Sequence, residues 1–224
     1  MIVLGVETAQ AGGSVAVRHG GSVAASRSLA DSKTQAEQLL PVIAAMLADA
    51  RLAYADIDLL AVGVGPGLFT GVRVGIAAVR GLRLVLKVPA IGIGTLHAVA
   101  TRAIGDLRAG ESIYVVNDAR NEEVYAQRFS ASAAPGDDAV LLPLADAARA
   151  LPADAVLLGT AAVLVAPFVG RPVRVLSGFG AADAATIAAL AETRAAQPDF
   201  RDLGAPRPLY VRKPHARTLK EAKR

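Results

Sequence analysis

Residues Leu59 to Leu86 read LLAVGVGPGLFTGVRVGIAAVRGLRLVL. The apolar run Leu59–Val64 has the length and content of a buried strand. It breaks at Gly65-Pro66-Gly67 and resumes with helical spacing from about Thr70. A strand, a glycine turn and a helix start aim the unpaired amides of the first helical turn at an anion. Thr70 has the side chain of an N-cap, and Gly65, Gly67 and Gly71 let the backbone turn sharply and approach another group. The spacing matches neither a Walker loop, which needs Gly-Lys-Ser/Thr, nor a dinucleotide fingerprint. Two readings stand: an anion cradle, or a turn closing tightly on its own sheet.

Upstream, Ile2–Val6, Ser14–Val17 and Ser22–Ala25 read as three short strands, the last two joined through Arg18-His19-Gly20-Gly21. After the first comes a second small-residue turn, Glu7-Thr8-Ala9-Gln10-Ala11-Gly12-Gly13. Two such turns are expected to face each other across a cleft. Asp31 or Ser32 can cap a helix over Lys33–Ala50, in which Leu39, Leu40, Ile43, Met46 and Leu47 form a broad apolar stripe. Pro41 implies a kink or a restart. In the next helix Gly71 and Gly75 share a face and permit close approach of another helix. Arg73 and Arg80 share a face too, suited to an acidic partner or to snorkelling.

Downstream, Ala90–Gly94 reads as a strand and Thr95–Ile104 as a helix, and the polar stretch Gly105–Gly110 marks a domain boundary. Strands are expected at Ser112–Val116, Val124–Phe129, Val140–Leu142, Val156–Leu158 and Val173–Leu176. Alanine-rich helices are expected near 144–151, 160–169 and 183–196. This alternation indicates an α/β protein, opened by an antiparallel meander.

The 224 residues contain no cysteine, which excludes disulfides, thiolate catalysis and zinc-thiolate sites. The start, MIVLGVETA, lacks the basic region of a signal peptide, and arginines at 73, 80 and 83 interrupt the longest apolar stretch, so a cytoplasmic protein is expected. The net charge is +4, but residues 207–224 carry +6 and the preceding body −2. A basic tail of this kind is a solvated terminus or an arm for a polyanion. With 4% aromatic residues and no tryptophan, a stacking platform for single-stranded RNA is not expected.

The order βββαβαβα, with small-residue turns after the first and fourth strands, resembles half of the actin-like ATPase fold. The run Gly65-Pro66-Gly67-Leu68-Phe69-Thr70-Gly71-Val72-Arg73-Val74-Gly75 resembles the TsaB (YeaZ) family, which works with TsaD to make threonylcarbamoyladenosine in tRNA. Supporting stretches are Val3-Leu4-Gly5-Val6-Glu7-Thr8, Ser14-Val15-Ala16-Val17, Leu39-Leu40-Pro41 and Pro89-Ala90-Ile91-Gly92-Ile93, then Asp118-Ala119-Arg120 and Glu123-Val124-Tyr125. Pro208-Leu209-Tyr210-Val211-Arg212 matches near the end. The resemblance implies a duplicated fold with a degenerate second half: an actin-like domain over 1–107, a smaller one over 108–206, and a basic tail over 207–224.

The departures from the relatives bear on function. TsaD holds its metal through two histidines four apart, and those positions here are Thr95 and Val99; the histidine between them, His97, has no partner imidazole. Glu7 replaces the aspartate of actin-like ATPases, and the P-loop lysine is missing, so Glu7, Thr8, Gly12, Gly65, Gly67 and Thr70 read as a vestigial nucleotide loop. No metal, no cofactor of its own and no catalytic residue are expected. The resemblance implies a scaffold subunit that pairs with a TsaD-type subunit holding ATP and a metal ion, or with itself when alone, and that works with a TsaE-type ATPase and tRNA. Its expected interface residues are Leu39, Leu40, Ile43, Met46, Leu47, Gly71, Arg73, Gly75 and Arg80. Arg212, Lys213, Arg217 and Lys220 are candidates for tRNA contact. The alternative is an independent small ATPase or kinase using the two glycine turns.

Overall fold

A computed structural model describes residues 1–29, 34–200 and 204–211. The first sheet has the order β3-β2-β1-β4-β5, from β1 (Ile2–Glu7), β2 (Gly13–His19), β3 (Ser22–Leu29), β4 (Leu59–Gly63) and β5 (Ala90–Ile93). β1–β3 form the expected antiparallel meander, whereas β4 and β5 add parallel to β1. The second sheet has the order β8-β7-β6-β9, from β6 (Ser112–Asp118), β7 (Glu123–Phe129), β8 (Val140–Pro143) and β9 (Ala155–Leu158).

Strand alternation sorts the side chains into three cores. Leu4, Val6, Leu60 and Val62 face α1 (Gln35–Asp49) and α2 (Phe69–Leu86). Val3, Leu59 and Ala61 face the opposite way, toward α3 (Thr95–Arg102), α6 (Ala184–Ala195) and the near face of the second sheet. Tyr114, Val116 and Leu157 on its far face pack on α4 (Leu144–Ala150) and α5 (Ala162–Val165). The result is five layers: helices, sheet, helices, sheet, helices.

Helices cross between the two expected domains, 1–107 and 108–206. α6, from the second block, packs across β1, β2 and β4 of the first sheet, and α3, from the first block, packs on β6 and β7 of the second. Gly5 admits α6, because a side chain there would strike the backbone carbonyl of Ala184.

Several boundaries differ for local reasons. α1 runs through Pro41 without a restart, and its N-cap residue is Thr34, with no side-chain cap; Asp31, Ser32 and Lys33 lie outside the described residues. Val173–Leu176 is not a strand: it makes one bridge, Val175 to Leu157, between the turn-forming pairs Arg171-Pro172 and Ser177-Gly178. The helix expected over 160–169 is the single turn α5 followed by a 3₁₀ turn at Ala166–Phe168, where Pro167 has no amide to continue it.

Candidate functional site

The parallel strands β1, β4 and β5 bring Glu7, Gly63 and the start of α3 together at their carboxyl ends, where ligands bind in open α/β sheets. Glu7 is wholly buried. One carboxyl oxygen accepts from the Ala9 amide at 2.5 Å and the other from the Thr95 hydroxyl at 3.2 Å. Thr95 in turn accepts from the Gly65 amide and donates its own amide to the Gly65 carbonyl. Burial pushes the Glu7 carboxyl up to about 7, against the lowering effect of its hydrogen-bond donors, and the Asp183 charge adds to the rise. Thr95 therefore serves as a fastener between the first turn and the glycine turn. Val99 is buried in the core between the sheets.

The two small-residue turns do not face each other across a cleft. They are fastened together: the Leu68 amide donates to the Ala9 carbonyl at 2.6 Å, and the Thr8 hydroxyl donates to the Gly71 carbonyl at 2.8 Å. A methyl on Gly67 would strike the Ala9 carbonyl, and one on Gly71 the Thr8 carbonyl. Thr70 is not the N-cap. α2 begins at Phe69 after Leu68, and Thr70 sits exposed in the first turn. Gly12 lies exposed with open space around it.

A crevice of about 110 Å³ remains between the turns and the second sheet, lined by Gln10, Gly67, Asn117, Asp118, Arg120 and Thr160 among others. Small-molecule sites run from about 300 Å³ upward, so the crevice is small beside them. Asp118 and Arg120 form a tight turn of their own, the Arg120 amide donating to the Asp118 carboxylate at 2.8 Å. Among the described residues no three histidine, aspartate or glutamate side chains cluster as metal ligands. His97 is half-buried and stacks on Phe129 at 6.0 Å, and burial lowers its pKa.

The expected partner-binding residues divide sharply. Leu39, Ile43, Met46 and Leu47 are at most 2% exposed and fill the core under α1. Gly71 and Gly75 face inward onto Thr8, so they admit the first turn of this chain, not a helix of another. Only Leu40 of the apolar set is exposed, at 48%. Arg73 and Arg80 are exposed but engaged within the chain. The Arg73 guanidinium lies 3.5 Å over the Phe69 ring and donates to the Tyr210 hydroxyl at 2.8 Å. Arg80 donates twice to the Pro206 carbonyl, at 2.9 and 2.6 Å. Together with the Leu209 amide, which donates to the Val64 carbonyl, they fasten residues 204–211 across α2 as a strap. Arg212, Lys213, Arg217 and Lys220 lie outside the described residues.

Sequence reasoning missed the outward face of α2. Ala77, Gly81 and Leu84 fall at helical spacing on the side turned away from Val72, Ile76 and Val79, with Val85 alongside. Leu84 and Val85 are 76% and 78% exposed, and nothing crowds Gly81. Leu40, Ala44 and Ala48 present a matching small, apolar strip on the neighbouring α1. The signal was present as a second apolar stripe in the same periodicity, masked because the first stripe accounted for the core.

The family model described as TsaD, tRNA N6-adenosine threonylcarbamoyltransferase, matches residues 28–205. An uncharacterized protein of Mycobacterium tuberculosis is 39% identical over 129 residues, 57% of this chain and 58% of that protein. The tRNA threonylcarbamoyladenosine biosynthesis protein TsaB of Escherichia coli is 37% identical over 125 residues, 56% of this chain and 53% of TsaB. The matches thus span little more than half the length of these relatives. A crystal structure from Pseudomonas aeruginosa, described as an uncharacterized protein with similarity to peptidase YeaZ, superposes with a TM-score of 0.82. It is 28% identical, and the match covers 94% of this chain and 99% of that one. Component A of the Acidaminococcus fermentans (R)-2-hydroxyglutaryl-CoA dehydratase, 10% identical with a TM-score of 0.52 over 88% of this chain and 100% of that one, shares the fold alone. The fold is that of the actin-like ATPases.

Proposed function

Because the chain belongs to the family described as tRNA N6-adenosine threonylcarbamoyltransferase, and within it to the TsaB/YeaZ group, we propose that it is the non-catalytic subunit supporting threonylcarbamoyl transfer to tRNA. It docks on a TsaD-type catalytic subunit through the outer face of α1 and α2. The observation that carries this reading is the exposed apolar strip of Leu40, Ala77, Gly81, Leu84 and Val85 on two adjacent helices. A strip of small and branched apolar residues lets another helix pair approach closely and bury side chains now in water. The site chemistry is consistent with a supporting role: Thr95 and Val99 offer no imidazole, Glu7 is sealed under its neighbours, and the crevice between the turns is small.

On this reading the partner supplies ATP and metal chemistry, and this chain holds the partner's productive conformation. A TsaE-type ATPase and tRNA join through the assembled complex, the basic tail over 207–224 being the tRNA-facing candidate. The same strip accounts for self-pairing when the partner is absent. Co-purification with the TsaD-type subunit tests the proposal, with Leu84→Asp on the strip as the control. The expected result is a complex with the unsubstituted chain, none with the variant, and loss of threonylcarbamoyladenosine from bulk tRNA on depletion. A complex indifferent to Leu84→Asp, or unchanged modification after depletion, overturns it.

A further inference from the structure

A cavity of about 520 Å³ opens on the far side of the glycine turn, against the outer edge of β5, within the size range of ligand sites. Its walls include Val64, Leu190 of α6, Phe200, and the strap from Gly204 to Arg207. β5 is the last strand of its sheet. The Pro89 and Ile93 carbonyls accept from the Leu60 and Val64 amides of the neighbouring strand and its extension. Alternation therefore turns the amides and carbonyls of Ala90 and Gly92 outward, where no described residue pairs with them. At the rim, Arg207 is exposed and makes no hydrogen bond or ion pair among the described residues, whereas Arg194 on the same cavity is paired with Asp199.

We propose that this groove binds an extended peptide segment with apolar side chains and a carboxylate, which adds to the sheet beside β5. Ala90 and Gly92 supply its main-chain rungs, as in peptide capture by strand addition. Val64, Leu190 and Phe200 receive its apolar side chains, and Arg207 takes the carboxylate, for which a guanidinium fork is matched in geometry. Arg80 acts as a positioning residue: by gripping the Pro206 carbonyl it holds the strap as one wall of the groove. The unpaired edge favours a peptide over a small apolar acid, which would leave the rungs unused.

The test is fluorescence anisotropy of the full chain with a labelled, C-terminally amidated hexapeptide of alternating valine and threonine ending in glutamate. Saturable binding is expected, weakened about tenfold or more by Arg207→Glu, the size of one charge-assisted hydrogen bond. Ala90→Pro removes one outward amide while leaving the β4 side of the strand intact, and weakens binding comparably. Replacing the peptide's glutamate by glutamine weakens binding to the unsubstituted chain but strengthens it to Arg207→Glu, where it removes a like-charge pair. Arg207 is exposed, so that comparison decides the matter even if Ala90→Pro fails to fold. No saturation, binding indifferent to both Arg207→Glu and the glutamine peptide, or equal competition by a short aliphatic acid overturns the proposal.

Discussion

The two faces of α2 carry glycines put to opposite uses. On the inner face, Gly71 and Gly75 are buried and let the helix settle onto Thr8 at the end of β1. On the outer face, Gly81 is exposed with empty space above it, flanked by Leu84 and Val85 in water. The same residue type is a structural necessity on one side and an opening for another molecule on the other. What separates them is which face the sheet claims, and that is set by the apolar residues between the glycines.

Substitutions at the two faces should therefore fail in different ways. The largest effect is expected from Gly75→Leu. Its side chain would enter space held by the Thr8 hydroxyl, Val62 and Val6, and overpacking with loss of that contact should cost about 3–5 kcal/mol in urea unfolding. If this variant is as stable as the unsubstituted protein, the inner face is not packed as described.

Next in size is Glu7, beneath that face. Its folded carboxyl titrates near 7 because it is buried, well above an unfolded carboxyl. The protonated form is the one favoured by folding. Its contribution is full below the unfolded value and fades as the pH rises through 7, by about 3 kcal/mol across that window. Denaturation midpoints should fall from pH 5 to 8 and flatten in Glu7→Gln, which carries no charge to bury. Equal pH profiles would contradict this account of the junction.

Arg80→Ala should cost about 1 kcal/mol and raise amide exchange over residues 204–211, since both strap-fastening bonds from Arg80 are lost. The smallest effect on stability, within about 0.5 kcal/mol, is expected from Leu84→Asp. That variant should nonetheless abolish the proposed complex with a TsaD-type partner in size-exclusion chromatography. A stability loss as large as that of Gly75→Leu would mean that the outer face is core after all.

The sheet-forming part of the fold was legible because its signals are local: alternation or apolar runs for the strands, and a 3.6-residue period for α1 and α2. The turns were legible as turns, but not as a closed pair. Whether Gly67 and Gly71 leave room for an anion depends on Ala9 and Thr8, roughly sixty residues away, and no local pattern reports that distance. Sequence alone assigns Arg73 and Arg80 to an acidic partner or to snorkelling, because Tyr210 and Pro206 approach them only through the tertiary fold. Thr95 was noticed for the histidine it lacks; its hydroxyl's work between Glu7 and Gly65 follows from the register of three parallel strands.

The seating of α6 on the first sheet has a consequence for biosynthesis. The five strands of that sheet are complete once Ile93 has been made, but the helix covering Val3, Leu59 and Ala61 ends at Ala195. At translation rates of about 5–20 residues per second, the nascent sheet waits several seconds or more with one apolar face uncovered. Gly5, at the centre of that face, keeps open the place that α6 will take. The chain must therefore be made through Ala195 before its first-made sheet is closed, so the sheet begun first is among the last parts to be completed.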